Sequence, residues 1–170
     1  MIALQKNINA LIIFILSGVL ISAFGVQFLW HEEPCPLCLL QRIGMISVAA
    51  ALALNIKFGI RPFFYGLALL ASLFGGFVAL RQISLHVCPG FPEFGLPVLG
   101  ISLYTWSFFV FVCCVFAVAL LLFLYDPEEN KESELSINRF QSYAFWVIFF
   151  VTLTNVIATL AQCGLGICHD

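Results

Sequence analysis

Pro34-Cys35-Pro36-Leu37-Cys38-Leu39-Leu40-Gln41-Arg42 stands where one long apolar run has ended and the next begins. Two cysteines lie in C-x-x-C spacing, and an arginine follows the second by four residues. Pro36 suits the first position of a helix, where its missing N–H would have had no partner. Cys35 then takes the N-cap. Cys38 falls in the first turn, among backbone N–H groups that have no acceptor within the helix. Those donors and the helix dipole favour a thiolate, and Arg42 lies one turn on, on the face of Cys38. Reactive cysteines arise in such surroundings. The stretch reads as the first turn of a membrane helix, built for thiol–disulfide chemistry at the membrane surface.

The remaining sequence supplies the membrane. The chain has 170 residues, of which 62% are hydrophobic and 9% charged. A soluble domain is about half apolar and about a quarter charged, so this is an integral membrane protein. A formal charge of -2 gives no reason to expect a nucleic-acid partner. Five apolar runs approach the ~20 helical residues needed to cross a hydrocarbon core of ~30 Å. They are Ala10–Trp30, Leu39–Ile56, Phe63–Leu85, Ile101–Tyr125 and Phe140–Ala161. A cleaved signal peptide is the competing reading of the first run. That run is longer than a usual signal core and has no clear small-x-small exit before Trp30, so it reads as an anchor.

Lysine and arginine in the short loops set the orientation. Lys6 precedes the first run, Lys57 and Arg61 separate the second from the third, and Lys131 and Arg139 separate the fourth from the fifth. The connections Trp30–Cys38 and His86–Gly100 hold no lysine or arginine. The N-terminus is therefore expected in the cytoplasm and the C-terminus outside. Five of the seven cysteines then face the oxidising side: Cys35, Cys38, Cys88, Cys163 and Cys168. Cys113 and Cys114 fall midway along the fourth run and read as small packing residues.

Each candidate has an ordinary reading beside the functional one. Cys35 and Cys38 fit a redox pair, a zinc half-site or a structural staple. Closing so small a loop constrains little chain entropy, and no histidine follows for haem attachment, so position favours redox. Arg42 and Arg81 both lie ~6 Å below one membrane surface at the helical rise per residue. They either snorkel to head groups or bind a polar head group or ligand carbonyl beside the dithiol. His86 is placed to join them, or is an interfacial histidine. Cys88, Cys163 and Cys168 permit Cys88 paired with a tail cysteine, or Cys163 paired with Cys168; sequence does not choose. A metal site from His86, Cys88, Cys163, Cys168 and His169 is a further option. Asn155, Thr152 and Thr154 are able to bond between helices. Trp30, Tyr104 and Trp106 suit an aromatic belt.

These residues resemble the bacterial DsbB family, quinone-dependent membrane proteins that reoxidise a periplasmic thiol oxidase. The likeness rests on residues 34–42 opening the second span, on Arg81-Gln82-Ile83-Ser84-Leu85-His86 ending the third, and on Leu99-Gly100-Ile101-Ser102-Leu103-Tyr104-Thr105-Trp106-Ser107 entering the fourth. It covers residues 10 to 125 or so. It implies that Cys38 is the thiolate facing the quinone, that Cys35 receives the exchange from a second cysteine pair, and that Arg42 stabilises thiolate and quinone. It also implies that His86 lies near the quinone. Two departures stand out. The second outer loop has only Cys88, where the family has two exchanging cysteines. A fifth span with a cysteine tail is added.

The resulting expectation is an all-α integral membrane bundle, a four-helix core plus a fifth transmembrane helix. Residues 1–125 form the redox core, 126–139 a cytoplasmic linker, and 140–170 the fifth helix with its periplasmic tail. The protein is expected to be a quinone-dependent dithiol oxidase of the bacterial inner membrane. Its cofactor would be ubiquinone or menaquinone. Its partner would be a periplasmic thioredoxin-fold, DsbA-like thiol oxidase or a dedicated exported dithiol protein, with lipid around it. Catalytic residues are Cys35, Cys38, Cys88, Cys163 and Cys168; quinone-binding residues are Arg42, His86 and Arg81; none is assigned to a metal. The alternatives are an outer-face Cys/His metal-binding membrane protein and a structural subunit whose disulfides are staples.

Overall fold

The computed structural model describes residues 2–30, 35–86, 100–127 and 137–163. Among these stand five helices and no strand: α1 (Ile2–Trp30), α2 (Pro36–Phe58), α3 (Pro62–His86), α4 (Leu103–Phe123) and α5 (Arg139–Cys163). All five are long and apolar enough to cross a membrane. Hydrocarbon offers no partner to a backbone N–H or C=O, so a spanning segment must bond within itself, and a helix does so. Phe77, Phe116, Phe123 and Phe150 lie exposed on the outer faces of the bundle, as lipid-facing residues do.

The helix ends are set locally. Pro36 opens α2 and Cys35 caps it, with φ -66° and ψ 157°. Gly59 closes α2 at φ 85°, a backbone region that L side chains rarely adopt. Asn55 Oδ1 accepts from Arg61 N at 2.7 Å, so the short turn into α3 is tied back to α2. Ser102 precedes α4 in extended backbone, with its hydroxyl 2.7 Å from that of Thr105.

Helix α2 is the centre of the bundle and touches every other helix. Met45, Val48, Ala49, Leu52 and Ile56 are buried at helical spacing along it. Helix α3 packs between α2 and α4, while α1 packs between α2 and α5. Glycines allow the tightest approach. A Cβ on Gly44 of α2 would come 3.2 Å from the Cα of Gly75 on α3. A Cβ on Gly75 would overlap the ring of Phe111, which reaches in from α4 and is 1% exposed. Small residues at membrane helix interfaces permit this interlock.

Helix α1 begins before the expected Ala10. Its first turns carry Gln5, Lys6 and Asn9, all buried, so Lys6 lies within the helix rather than ahead of it. Packing accepts these polar groups because neighbouring elements satisfy them. Gln5 Nε2 donates to Leu124 O at 2.8 Å, and Asn9 exchanges hydrogen bonds with the Tyr65 hydroxyl at 3.2 and 3.3 Å. Asn7 Oδ1 accepts from Asn138 Nδ2 at 3.0 Å and from Gln141 Nε2 at 2.9 Å. The starts of α1 and α5 are thereby joined, and the two helices run parallel.

Some interior expectations change. Thr152 and Thr154 bond the carbonyls of Ile148 and Phe150 in their own helix, not a neighbour. Asn155 is buried, and its Oδ1 has no partner among the described residues. Cys114 joins the core, but Cys113 is exposed on the outer face, because consecutive helical residues point about 100° apart.

Candidate dithiol site at the start of α2

The cap geometry builds the site. Extended backbone at Cys35 turns its sulfur over the open end of α2, where it accepts from Cys38 N at 3.2 Å. Cys35 O accepts from Leu39 N at 3.1 Å, starting the helical ladder. The two sulfurs are brought 2.6 Å apart, and both cysteines are half-buried. A formed disulfide measures ~2.05 Å. The pair therefore holds two sulfurs that can bond or share a proton without moving a helix. The Cys35 thiol is pushed well above the ordinary thiol range, first by its hydrogen bond to Cys38 and then by burial.

Helix α3 backs the pair with Gln82, which is 1% exposed. Its Nε2 donates to Cys35 Sγ at 3.3 Å and to Cys38 Sγ at 3.5 Å. Its Oε1 accepts from Gln41 Nε2 of α2 at 2.6 Å. Its backbone carbonyl accepts from His86 Nδ1 at 2.8 Å. The His86 ring stacks on Tyr104 of α4, with centroids 5.0 Å apart and planes 26° apart. Tyr104 is thus buried against the site, not placed in an aromatic belt.

Arg42 is buried and faces α1. Its Nη1 donates to Gln27 Oε1 at 2.8 Å and its Nη2 to Ala23 O at 3.5 Å. Its guanidinium lies 4.8 Å from the centroid of Phe24. Arg42 lies one turn from Cys38, but the described hydrogen bonds of the cation go to α1 rather than to sulfur. Arg81 is exposed on the outside of α3, so Arg42 and Arg81 do not converge.

The structure therefore brings together Cys35 and Cys38 against Gln82, with His86 bonded to the Gln82 carbonyl one turn further along α3 and Arg42 one turn along α2. Cys88 and Cys168 lie outside the described residues. Cys163 ends α5, and its side chain is also outside them. Among the described residues no group of three or more His, Cys, Asp or Glu is placed to hold a metal ion. Gln27, Gln41 and Gln82 were not anticipated as part of the site. Their signal was available, since an amide within a membrane span is costly unless paired.

Residues 5–93, just over half of the chain, match the family described as disulfide bond formation protein DsbB. Disulfide bond formation protein B of Chromobacterium violaceum is 41% identical over 78 residues, which is 43% of this chain and 46% of that protein. That of Azoarcus sp. is 36% identical over 104 residues, 56% of this chain and 62% of its own. That of Cupriavidus pinatubonensis is 37% identical over 94 residues, 51% and 56% respectively. The chain spans about half the length of these curated relatives. No solved structure matches it. The matched segment contains the cysteine pair, Gln41, Arg42, Arg81, Gln82 and His86; the chain belongs to the DsbB family.

Proposed function

We propose that the protein oxidises an exported dithiol protein and passes the electrons to a membrane quinone. The partner is a periplasmic thioredoxin-fold thiol oxidase or a dedicated exported dithiol protein. The single observation that carries this reading is the sulfur pair at the N-terminus of a membrane helix, 2.6 Å apart and backed by an amide from α3. The positive-inside pattern puts this end of the bundle in the periplasm, with the N-terminus in the cytoplasm.

In the working cycle, a partner thiolate attacks a disulfide formed among Cys88, Cys163 and Cys168. Their exchange with the Cys35–Cys38 disulfide leaves the partner oxidised and this pair as a dithiol. Cys35 is the sulfur attacked, being at the cap of α2 rather than inside its first turn. Cys38 leaves as the thiolate, in the first turn where backbone N–H groups and the helix dipole favour negative charge. Register supports a part for the tail. With α1 and α5 joined at their starts and parallel, Cys163 reaches the membrane surface at which α1 ends and α2 begins. We assign residues 1–125 as the redox core and 126–139 as the linker to this appended helix.

A quinone head group is a flat ring with two carbonyl acceptors, and the residues present suit one. The His86–Tyr104 stack provides a flat surface, and Arg42 provides donors one turn from Cys38. His86 Nδ1 donates to Gln82 O, which leaves Nε2 of the neutral ring as an acceptor. That nitrogen suits the proton traffic of quinone reduction. When bound, the quinone supplies a two-electron, two-proton acceptor. Arg81, exposed at the same depth, attends to head groups at the approach to the site.

The test is quinone reduction by purified protein in detergent, with a reduced thioredoxin-fold oxidase as donor. Wild type reduces quinone and Cys38→Ser does not. Loss in Cys163→Ser/Cys168→Ser as well assigns the tail to the relay, and retention makes it a staple. A wild type that reduces no quinone, even with a small dithiol reductant, overturns the reading.

A further inference from the structure

The cysteine pair is not alone at its end of the bundle. Gln82 is a neutral amide buried within a membrane helix, a position that needs a reason. One reason is structural, since an amide can join two helices. The hydrogen bonds say more than that. An amide has one acceptor end and one donor end. Gln82 Oε1 accepts from Gln41 Nε2 at 2.6 Å and, at the longer distance of 3.9 Å, from Cys38 Sγ, while its Nε2 donates to the sulfurs of Cys35 and Cys38. Gln41 itself is buried and lies on the same turn of α2 as Cys38. The donor end of Gln82 is thereby aimed at the sulfurs from a fixed direction.

We propose that Gln82 is a catalytic residue of the dithiol centre, donating hydrogen bonds to the sulfur that gains charge when the Cys35–Cys38 disulfide is opened, and that Gln41 is its positioning residue. The inference rests on the dithiol reading above and needs no quinone. In the step concerned, an incoming thiolate bonds to Cys35 Sγ and the Cys35–Cys38 bond breaks. The electron pair of that bond stays on Cys38 Sγ. A second thiol then takes over at the incoming sulfur, and Cys35 is released as a thiol. A disulfide sulfur is a weak acceptor and a thiolate a strong one, so the bonds from Gln82 tighten as the charge appears. Donors fixed toward developing charge in a site shielded from water are the effective ones. The pair is thereby poised toward its dithiol form, which makes its disulfide a stronger oxidant.

The test is the thiol–disulfide equilibrium of the full-length protein in detergent, without quinone or partner. Wild type, Gln82→Leu, Gln41→Leu and the double variant are equilibrated with graded ratios of reduced to oxidised glutathione. The states of Cys35 and Cys38 are read by alkylation and peptide mass spectrometry. A hydrogen bond to a charged group is strong enough that Gln82→Leu should shift the equilibrium toward the disulfide by about tenfold. Gln41→Leu should shift it the same way by roughly threefold, as expected for an amide whose acceptor end has lost its partner. The double variant should shift no further than Gln82→Leu, because both act through one amide. An unchanged equilibrium in a Gln82→Leu protein that unfolds at the wild-type temperature overturns the proposal. Should Gln82→Leu fail to fold, Gln41→Leu decides: no shift overturns the proposal, and the predicted shift upholds it. Because quinone is absent, failure here and failure of the quinone reading are separate results.

Discussion

Cys35 caps α2 and Cys38 sits one turn inside it, so the two sulfurs meet different surroundings although three residues separate them. Cys35 is held as a thiol by the hydrogen bond it gives Cys38 and by burial. The sign is that of any acid whose charged form is disfavoured: ionisation waits for higher pH. In the reduced protein, alkylation of Cys35 should therefore stay slow through the region around pH 8.5 where a free thiol ionises, and rise only above it. Cys38→Ala removes the leading cause and should move the profile back toward that of a free thiol. A wild-type profile at or below the free-thiol midpoint contradicts the account. At this scale the sequence was most legible where chemistry is local. Pro36 at the first helical position and Cys35 at the cap follow from adjacent residues alone. Arg42 was legible as to its place along α2 but not as to partner, because Gln27, Ala23 and Phe24 belong to another helix. Gln82 was less legible because a neutral amide carries no charge signal; it is buried beside the exposed Arg81, about 100° around α3.

At the scale of the helix, apolar length found all five spans, because the thickness of a hydrocarbon core fixes a minimum length that hydropathy reads directly. It did not find where α1 starts. Gln5, Lys6 and Asn9 look like a polar lead-in until α3, the end of α4 and the approach to α5 are packed around them. Nor did it show the bonding of Thr152 and Thr154, whose hydroxyls are satisfied one turn back in their own helix. The tightest element contact is the seat of Phe111 against Gly75 and Gly44. Gly75→Ala places a methyl group where the ring lies, and overpacking of this kind costs about 1–3 kcal/mol. Thermal unfolding in detergent should show the loss. Phe111→Leu in the Gly75→Ala background should recover part of it, since a smaller side chain leaves room for the methyl. Wild-type stability in Gly75→Ala, or no recovery in the double variant, would show that the interlock is not as described.

The whole molecule is organised around α2, which carries the cysteine pair at one end and touches all four other helices. Hydropathy cannot supply that arrangement, because every span is apolar and any order of packing buries similar surface. It emerges from glycines that permit contact and amides that join particular pairs of helices. The added fifth helix is a case in point. Its existence was legible, but its place beside α1 is set by Asn7, Asn138 and Gln141. The proposed function turns on Cys35–Cys38 delivering electrons to quinone at this end of the bundle. The most direct measurement reduces the full-length protein in detergent, removes the reductant under exclusion of oxygen, and adds quinone with no partner present. Alkylation then follows the thiols of Cys35 and Cys38 over time. The account predicts that both thiols are lost together as their disulfide forms, with one quinone reduced per pair, and that Cys38→Ser reduces none. Thiols that persist at Cys35 and Cys38 in folded wild-type protein with excess quinone would contradict it.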